Sequence, residues 1–143
     1  IRMSNPRSSM FIKLKYGRFH QCYMSLDACK RGFLDGCRPV ICVDGCHLKT
    51  KYGGQLLTAV GIDLNNCIFP IAMAVVEVED TPTWKWFLQT LKDDLYIVNT
   101  APWTVMSDRQ KGLINALQRP KRVGKGECCS NLATPIRKAC WEA

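Results

Sequence analysis

Asp44 and Asp108 are the residues whose type and setting bear most directly on chemistry. Asp44 closes the apolar run Pro39-Val-Ile-Cys-Val, with Gly45 behind it, and Asp108 follows Trp103-Thr-Val-Met-Ser and precedes Arg109-Gln-Lys111-Gly. A short β-rich run that delivers a carboxylate to its end collects oxygen ligands for a hard divalent cation. Mg2+ is held by one or two carboxylates together with waters and substrate phosphates. On a chain with 20 Lys and Arg against 12 Asp and Glu, paired carboxylates point to phosphodiester chemistry. Taken singly, each aspartate is also ordinary turn chemistry, since Asp before Gly and Asp after Ser are common in loops. The metal reading therefore depends on elements that bring the two together.

Those elements can be read from periodicity. Ile12, Leu14 and Tyr16 alternate with Lys13 and Lys15, which predicts a half-exposed strand over 10–16. Phe19, Cys22, Tyr23, Leu26, Cys29 and Phe33 recur at three- and four-residue spacing and predict an amphipathic helix ending between Gly32 and Gly36. Pro39 opens a strand through Val43, with Asp44 at its far end. The runs 55–62 and 67–78, joined by Asp63-Leu-Asn-Asn66, predict an antiparallel hairpin. Thr81 as N-cap and Pro82 at the first helical position start a helix, with Glu79 and Asp80 at the positive end of its dipole. Its buried stripe is Trp84, Phe87, Leu88, Leu91 and Leu95, so Trp84 and Trp86 read as packing residues. Residues 103–106 form the strand that carries Ser107-Asp108, and 111–119 restart a helical pattern through Leu113, Ile114 and Leu117. In an α/β arrangement of this order, the strand bearing Asp108 can pair beside the strand bearing Asp44 and bring the two aspartates together.

Length and composition set the frame. At 143 residues and 47% hydrophobic, the chain fits one globular domain with a core of its own. No apolar stretch reaches the roughly 18 residues that cross a bilayer, and the N-terminus lacks a signal-peptide run, so a soluble, unsecreted protein is expected, with no membrane partner. The nine cysteines are an odd number without CxxC spacing and read as reduced thiols, mostly small core fillers. Cys42, Cys46 and His47 cluster, but no histidine follows His47, which argues against a closed zinc site. The net charge of +8 is uneven: residues 1–38 carry eight Lys/Arg against two acids, 39–118 six against eight, and 119–143 six against two. An acidic middle between basic flanks suits a metal-dependent site acting on a polyanion.

Several ordered blocks carry a resemblance. Gly32-Phe-Leu-Asp-Gly-Cys-Arg-Pro-Val-Ile-Cys-Val-Asp-Gly-Cys-His-Leu-Lys49, then Tyr52-Gly-Gly-Gln-Leu-Leu-Thr-Ala-Val-Gly61, Phe69-Pro-Ile-Ala-Met-Ala-Val-Val-Glu77, Trp84-Lys-Trp-Phe-Leu88 and Ser107-Asp-Arg-Gln-Lys-Gly-Leu113 together resemble the Mutator-like (MULE, MuDR-type) transposases of plants. The likeness runs from about Asn5 to about Arg119. It implies an α/β, RNase H-like mixed sheet with flanking helices and a DDE-type site, in which two aspartates and a glutamate hold two divalent metals, Mg2+ or Mn2+. Asp44 and Asp108 match the family's two aspartates, as catalytic and metal-binding residues. Lys49, Lys51, Arg109 and Lys111 lie close to them in sequence and are candidates for phosphate contact. The resemblance further implies DNA as partner, DNA strand cleavage and transfer as chemistry, association with another copy or a full-length transposase, and the nucleus as location.

The pattern divides the chain into a basic lead of residues 1–38, a partial core at 39–119 and a divergent basic tail at 120–143. The tail lacks the histidine of the family's Cys/His segment. Glu127 and Glu142 are the only acids beyond Asp108, and neither matches the family's glutamate. The expectation is a core truncated before its last strand and Glu-bearing helix, inactive alone. The alternative is a non-catalytic relic or domesticated module that keeps the fold to bind nucleic acid or protein.

Overall fold

A computed structural model of the chain describes residues 5–107 together with Leu113 and Ala116. Its first element, β1 (Ser9–Lys15), turns through Tyr16 and Gly17 into β2 (Arg18–Ser25). Both turn residues have positive φ, 51° and 73°, the geometry whose twist matches a two-residue hairpin. The helix expected from Phe19 onward is thus corrected over 18–25, and only α1 (Asp27–Gly36) is helical. The inward positions of β2 are Gln21, Tyr23 and Ser25. Two of the three are polar, so hydrophobic periodicity did not register the alternation.

β3 (Cys37–His47), β4 (Gln55–Asp63) and β5 (Ile68–Val76) form an antiparallel meander. The expected hairpin is present: Asp63 Oδ1 accepts from the N–H groups of Asn65 and Cys67 at 2.8 and 2.7 Å, and Asn66 takes a positive φ of 65°. α2 (Thr81–Asp94) follows, and β6 (Thr104–Ser107) is the sixth strand. The cap of α2 is Asp80 rather than Thr81; its carboxylate accepts from Thr83 N–H at 2.8 Å and leaves Pro82 inside the first turn, where a missing N–H costs nothing. The sheet is mixed, in the order β1-β2-β5-β4-β3-β6, with β6 parallel to β3 and every other pair antiparallel. Pro39 lies where the β3–β4 register breaks between Cys37 and Ile41, a position that spares the ladder a missing donor.

Both helices pack on one face. Phe33 of α1 is buried against Trp103, ring centroids 5.5 Å apart, and a Cβ on Gly61 would stand 2.5 Å from its ring. Leu88 and Leu91 of α2 line a small apolar cavity with Ile41, Trp103 and Val105. The α2 stripe expected from sequence, Trp84, Phe87, Leu88, Leu91 and Leu95, is buried throughout, and Leu113 joins the same core. Trp86 packs edge-on to Tyr23 and Phe11.

A polar lock ties the first hairpin to both helices. The Lys30 ammonium, on α1, donates to Arg7 O at 2.7 Å, Ser9 Oγ at 3.1 Å and Asp94 Oδ1 at 2.8 Å. Asp94, at the end of α2, also accepts from Tyr23 OH at 3.0 Å and from Ser9 Oγ. Burial, then the Asp94 carboxylate, push the Tyr23 phenol far above its ordinary range.

Candidate functional site

The strands that carry the two aspartates are neighbours. Val40, Ile41, Cys42 and Val43 of β3 lie opposite Thr104, Val105, Met106 and Ser107 of β6 in parallel register. Val43 directly precedes Asp44, and Ser107 directly precedes Asp108 in the sequence. Asp108 itself, with Arg109 and Lys111 and most of the helix expected over 111–119, lies outside the described residues.

Asp44 is not the last residue of its strand, as the sequence suggested. Gly45, Cys46 and His47 continue to pair with Leu57, Leu56 and Gln55, because β4 is long enough to offer them partners. Alternation explains the exposure of the carboxylate: Ile41 and Val43 point into the helix-covered core, and Asp44 projects from the opposite face. Its Oδ1 accepts from Gly45 N–H at 2.9 Å, and Thr58 Oγ1 donates to its backbone carbonyl at 3.3 Å. None of the ion pairs among the described residues neutralises it.

A second acid lies against the neighbouring residue on the other face. Glu79 accepts from the indole N–H of buried Trp84 at 3.1 Å, and a Cβ on Gly45 would come within 2.8 Å of Glu79 Oε1. Gly45 is therefore what admits the carboxylate. In the sequence Gly45 reads as turn chemistry and Glu79 as a helix-dipole partner. The available signal was a glycine inside a strand pattern, which often marks a close approach.

Lys49 and Lys51 sit in the β3–β4 connection, at the end of the sheet toward which β3 runs, exposed and outside every ion pair among the described residues. Cys42 and Cys46 share a face of β3 but are four residues apart, roughly 13 Å of extended strand, too far for thiolates to share one zinc at about 2.3 Å each. Burial raises the Cys42 thiol, and burial together with Asp63 raises that of Cys37. Of the six described cysteines none is fully buried: Cys22, Cys29, Cys37 and Cys42 are half-buried and Cys46 and Cys67 exposed, so the expectation of core fillers is corrected for these six, of which Cys37 packs against the core. Among the described residues no three His, Cys, Asp or Glu side chains gather as a metal cluster.

The sequence matches the family described as the MULE transposase domain over residues 40–129. The chain belongs to the MULE transposase domain family. The match takes in both aspartates, Lys49, Lys51, β3 from Val40 onward and the strands β4 to β6. No curated protein and no solved structure matches the chain. For this MULE transposase domain the transposase relationship thus rests on the family, and the α/β fold on the mixed six-stranded sheet with its two helices.

Proposed function

We propose that this domain is part of an RNase H-like, DDE-type transposase core, and that Asp44 and Asp108 hold a divalent cation for phosphodiester chemistry on DNA. The observation that carries the reading is the parallel pairing of β3 with β6, with Val43 opposite Ser107. Extending that register by one residue would set the two aspartates side by side on one face of adjacent strands. Three antiparallel strands followed by a helix and a strand parallel to the first also support the RNase H-like reading.

The donor chemistry of Asp44 fits Mg2+ or Mn2+. It is an exposed carboxylate outside every ion pair among the described residues, and hard cations prefer oxygen ligands. When bound, such ions activate an attacking water or hydroxyl and stabilise the leaving oxygen. The work of the chain is to hold and orient. The β3 ladder fixes the Asp44 backbone, and Gly45 N–H holds one carboxylate oxygen, leaving the other to a ligand. Lys49 and Lys51, with Arg109 and Lys111 beyond, supply cations for the phosphates. DNA association is accordingly weak, sequence-tolerant and strongly salt-dependent.

On this reading two carboxylates bind the ion weakly and do not cleave alone, so the quantity to test is ion occupancy rather than turnover. Titrating Mn2+ into the 15N-labelled chain should broaden the amide signals of Val43, Asp44, Gly45 and Ser107 first. The same titration of Asp44→Asn should leave them sharp. Broadening that is uniform over the surface, or unchanged in Asp44→Asn, refutes the site.

A further inference from the structure

Two hairpin turns project from the same end of the sheet, and each carries a lysine beside an almost fully exposed tyrosine. The register fixes the common end. Lys13 pairs with Gln21, Gln21 with Val76, Val76 with Gln55, and Gln55 with His47, making one row across five strands. Beyond that row lie the β1–β2 turn, with Lys15, Tyr16 and Arg18, and the β3–β4 turn, with Lys51 and Tyr52. β6 runs parallel to β3, so its Ser107 end points the same way as the Asp44 stretch.

The two tips are alike in chemistry. Tyr16 is 94% exposed and Tyr52 91%, and neither contributes to the core. The ammonium of Lys15 lies 5.9 Å from the Tyr16 ring centroid, and that of Lys51 5.9 Å from the Tyr52 ring, the outer range of cation–π attraction. Both tips have a defined turn geometry. Tyr16 and Gly17 hold positive φ across a two-residue turn, while the second turn is closed by Gly53 N–H to Thr50 O at 3.0 Å and Leu48 N–H to Gly54 O at 3.0 Å.

Charge selects the partner. The stretches 8–26 and 45–62 contain no acidic residue. The acids between the tips are already engaged: Glu77 with His20 at 3.0 Å, Glu79 with the Trp84 indole, and Asp80 with Thr83 N–H. Three strand spacings separate the hairpin centres, roughly 14 Å, a span of about four stacked nucleotides at 3.4 Å each. Exposed aromatic faces set beside cations are how proteins hold unpaired strands without reading sequence.

We propose that the Lys15–Tyr16 and Lys51–Tyr52 turns form a two-point grip for single-stranded DNA, stacking bases on the tyrosines and pairing phosphates with the lysines as the strand passes the Asp44 end of the sheet. The grip rests on the reading of that end as a DNA-processing site, and it adds the form of DNA held there. Fluorescence anisotropy with a labelled 20-mer oligothymidylate and with a duplex of equal length, in EDTA at several salt concentrations, tests it. Tyr16→Ala/Tyr52→Ala should weaken single-strand binding about tenfold or more, Tyr16→Phe/Tyr52→Phe should retain it, and duplex binding should change little. Lys15→Ala/Lys51→Ala should flatten the salt dependence by roughly 1.4 in log–log slope, about 0.7 for each lost phosphate contact on a single strand. Wild-type single-strand affinity in the double alanine variant, or equal losses on both DNAs, overturns the grip. Because these titrations contain no metal, failure of the Mn2+ experiment with Asp44→Asn would sink the metal reading and leave the grip standing, and the reverse result would do the opposite.

Discussion

Removing Asp94 should cost this domain more than removing its ion-pair partner, and the difference can be worked from the contacts. The Lys30 and Asp94 side chains are only 10% and 12% exposed, with 2.8 Å between Nζ and Oδ1. Deleting one member of such a pair leaves an uncompensated charge and typically costs about 3–5 kcal/mol. Asp94→Ala strands the Lys30 ammonium and the Tyr23 hydroxyl together, though Lys30 keeps Arg7 O and Ser9 Oγ as acceptors. The expected loss is therefore near the lower bound, about 3 kcal/mol, or about 10 °C in Tm for a chain of this size. Lys30→Met leaves Asp94 with two hydroxyl donors, Tyr23 OH and Ser9 Oγ, and should cost about half as much. Urea unfolding followed by tryptophan fluorescence, under reductant to keep the cysteines as thiols, measures both. The double variant Lys30→Met/Asp94→Leu should be more stable than Asp94→Ala, because no buried charge remains. A loss below about 1 kcal/mol for Asp94→Ala, or a larger loss for Lys30→Met, would refute the claim that this network locks the first hairpin to the helices.

The same network predicts an alkaline transition. Tyr23 holds its proton in the folded state well above the ordinary phenol value of 10.0, so its contribution is fully present below about pH 10 and is lost as the unfolded chain ionises above it. The decline is up to about 1.4 kcal/mol per pH unit, and Tyr23→Phe should remove that part of the pH dependence. Gly61→Ala should destabilise by about 2–3 kcal/mol, since its Cβ would lie 2.5 Å from a Phe33 ring already packed against Trp103. Adding Phe33→Leu should recover part of that loss in the same urea assay; a cost below about 0.5 kcal/mol would mean that the ring yields freely.

The sequence by itself determined the elements whose chemistry is local. The α2 stripe follows from 3.6-residue spacing, the β4–β5 hairpin from Asp63 and Asn66 in a four-residue connector, and the start of α2 from Pro82. It also determined the family, through ordered blocks that include Asp44 and Asp108. It misread β2, because Gln21 and Ser25 face inward and a polar inward face hides the two-residue period. The tertiary structure decided the full strand order: β2 pairs with β5, and β3 pairs with the expected β6 in the register that sets Val43 opposite Ser107. β3 and β6 are some 60 residues apart in sequence, and their parallel pairing arises from α2 packing on one face of the sheet and returning the chain beside β3. Tertiary structure likewise made Gly45 a seat for the Glu79 carboxylate and set the Tyr16 and Tyr52 turns at one end of the sheet. Neither of these last two follows from local pattern: turn geometry and hydrophobic alternation set register within a hairpin, whereas placing one hairpin or helix against another depends on packing between residues distant in sequence.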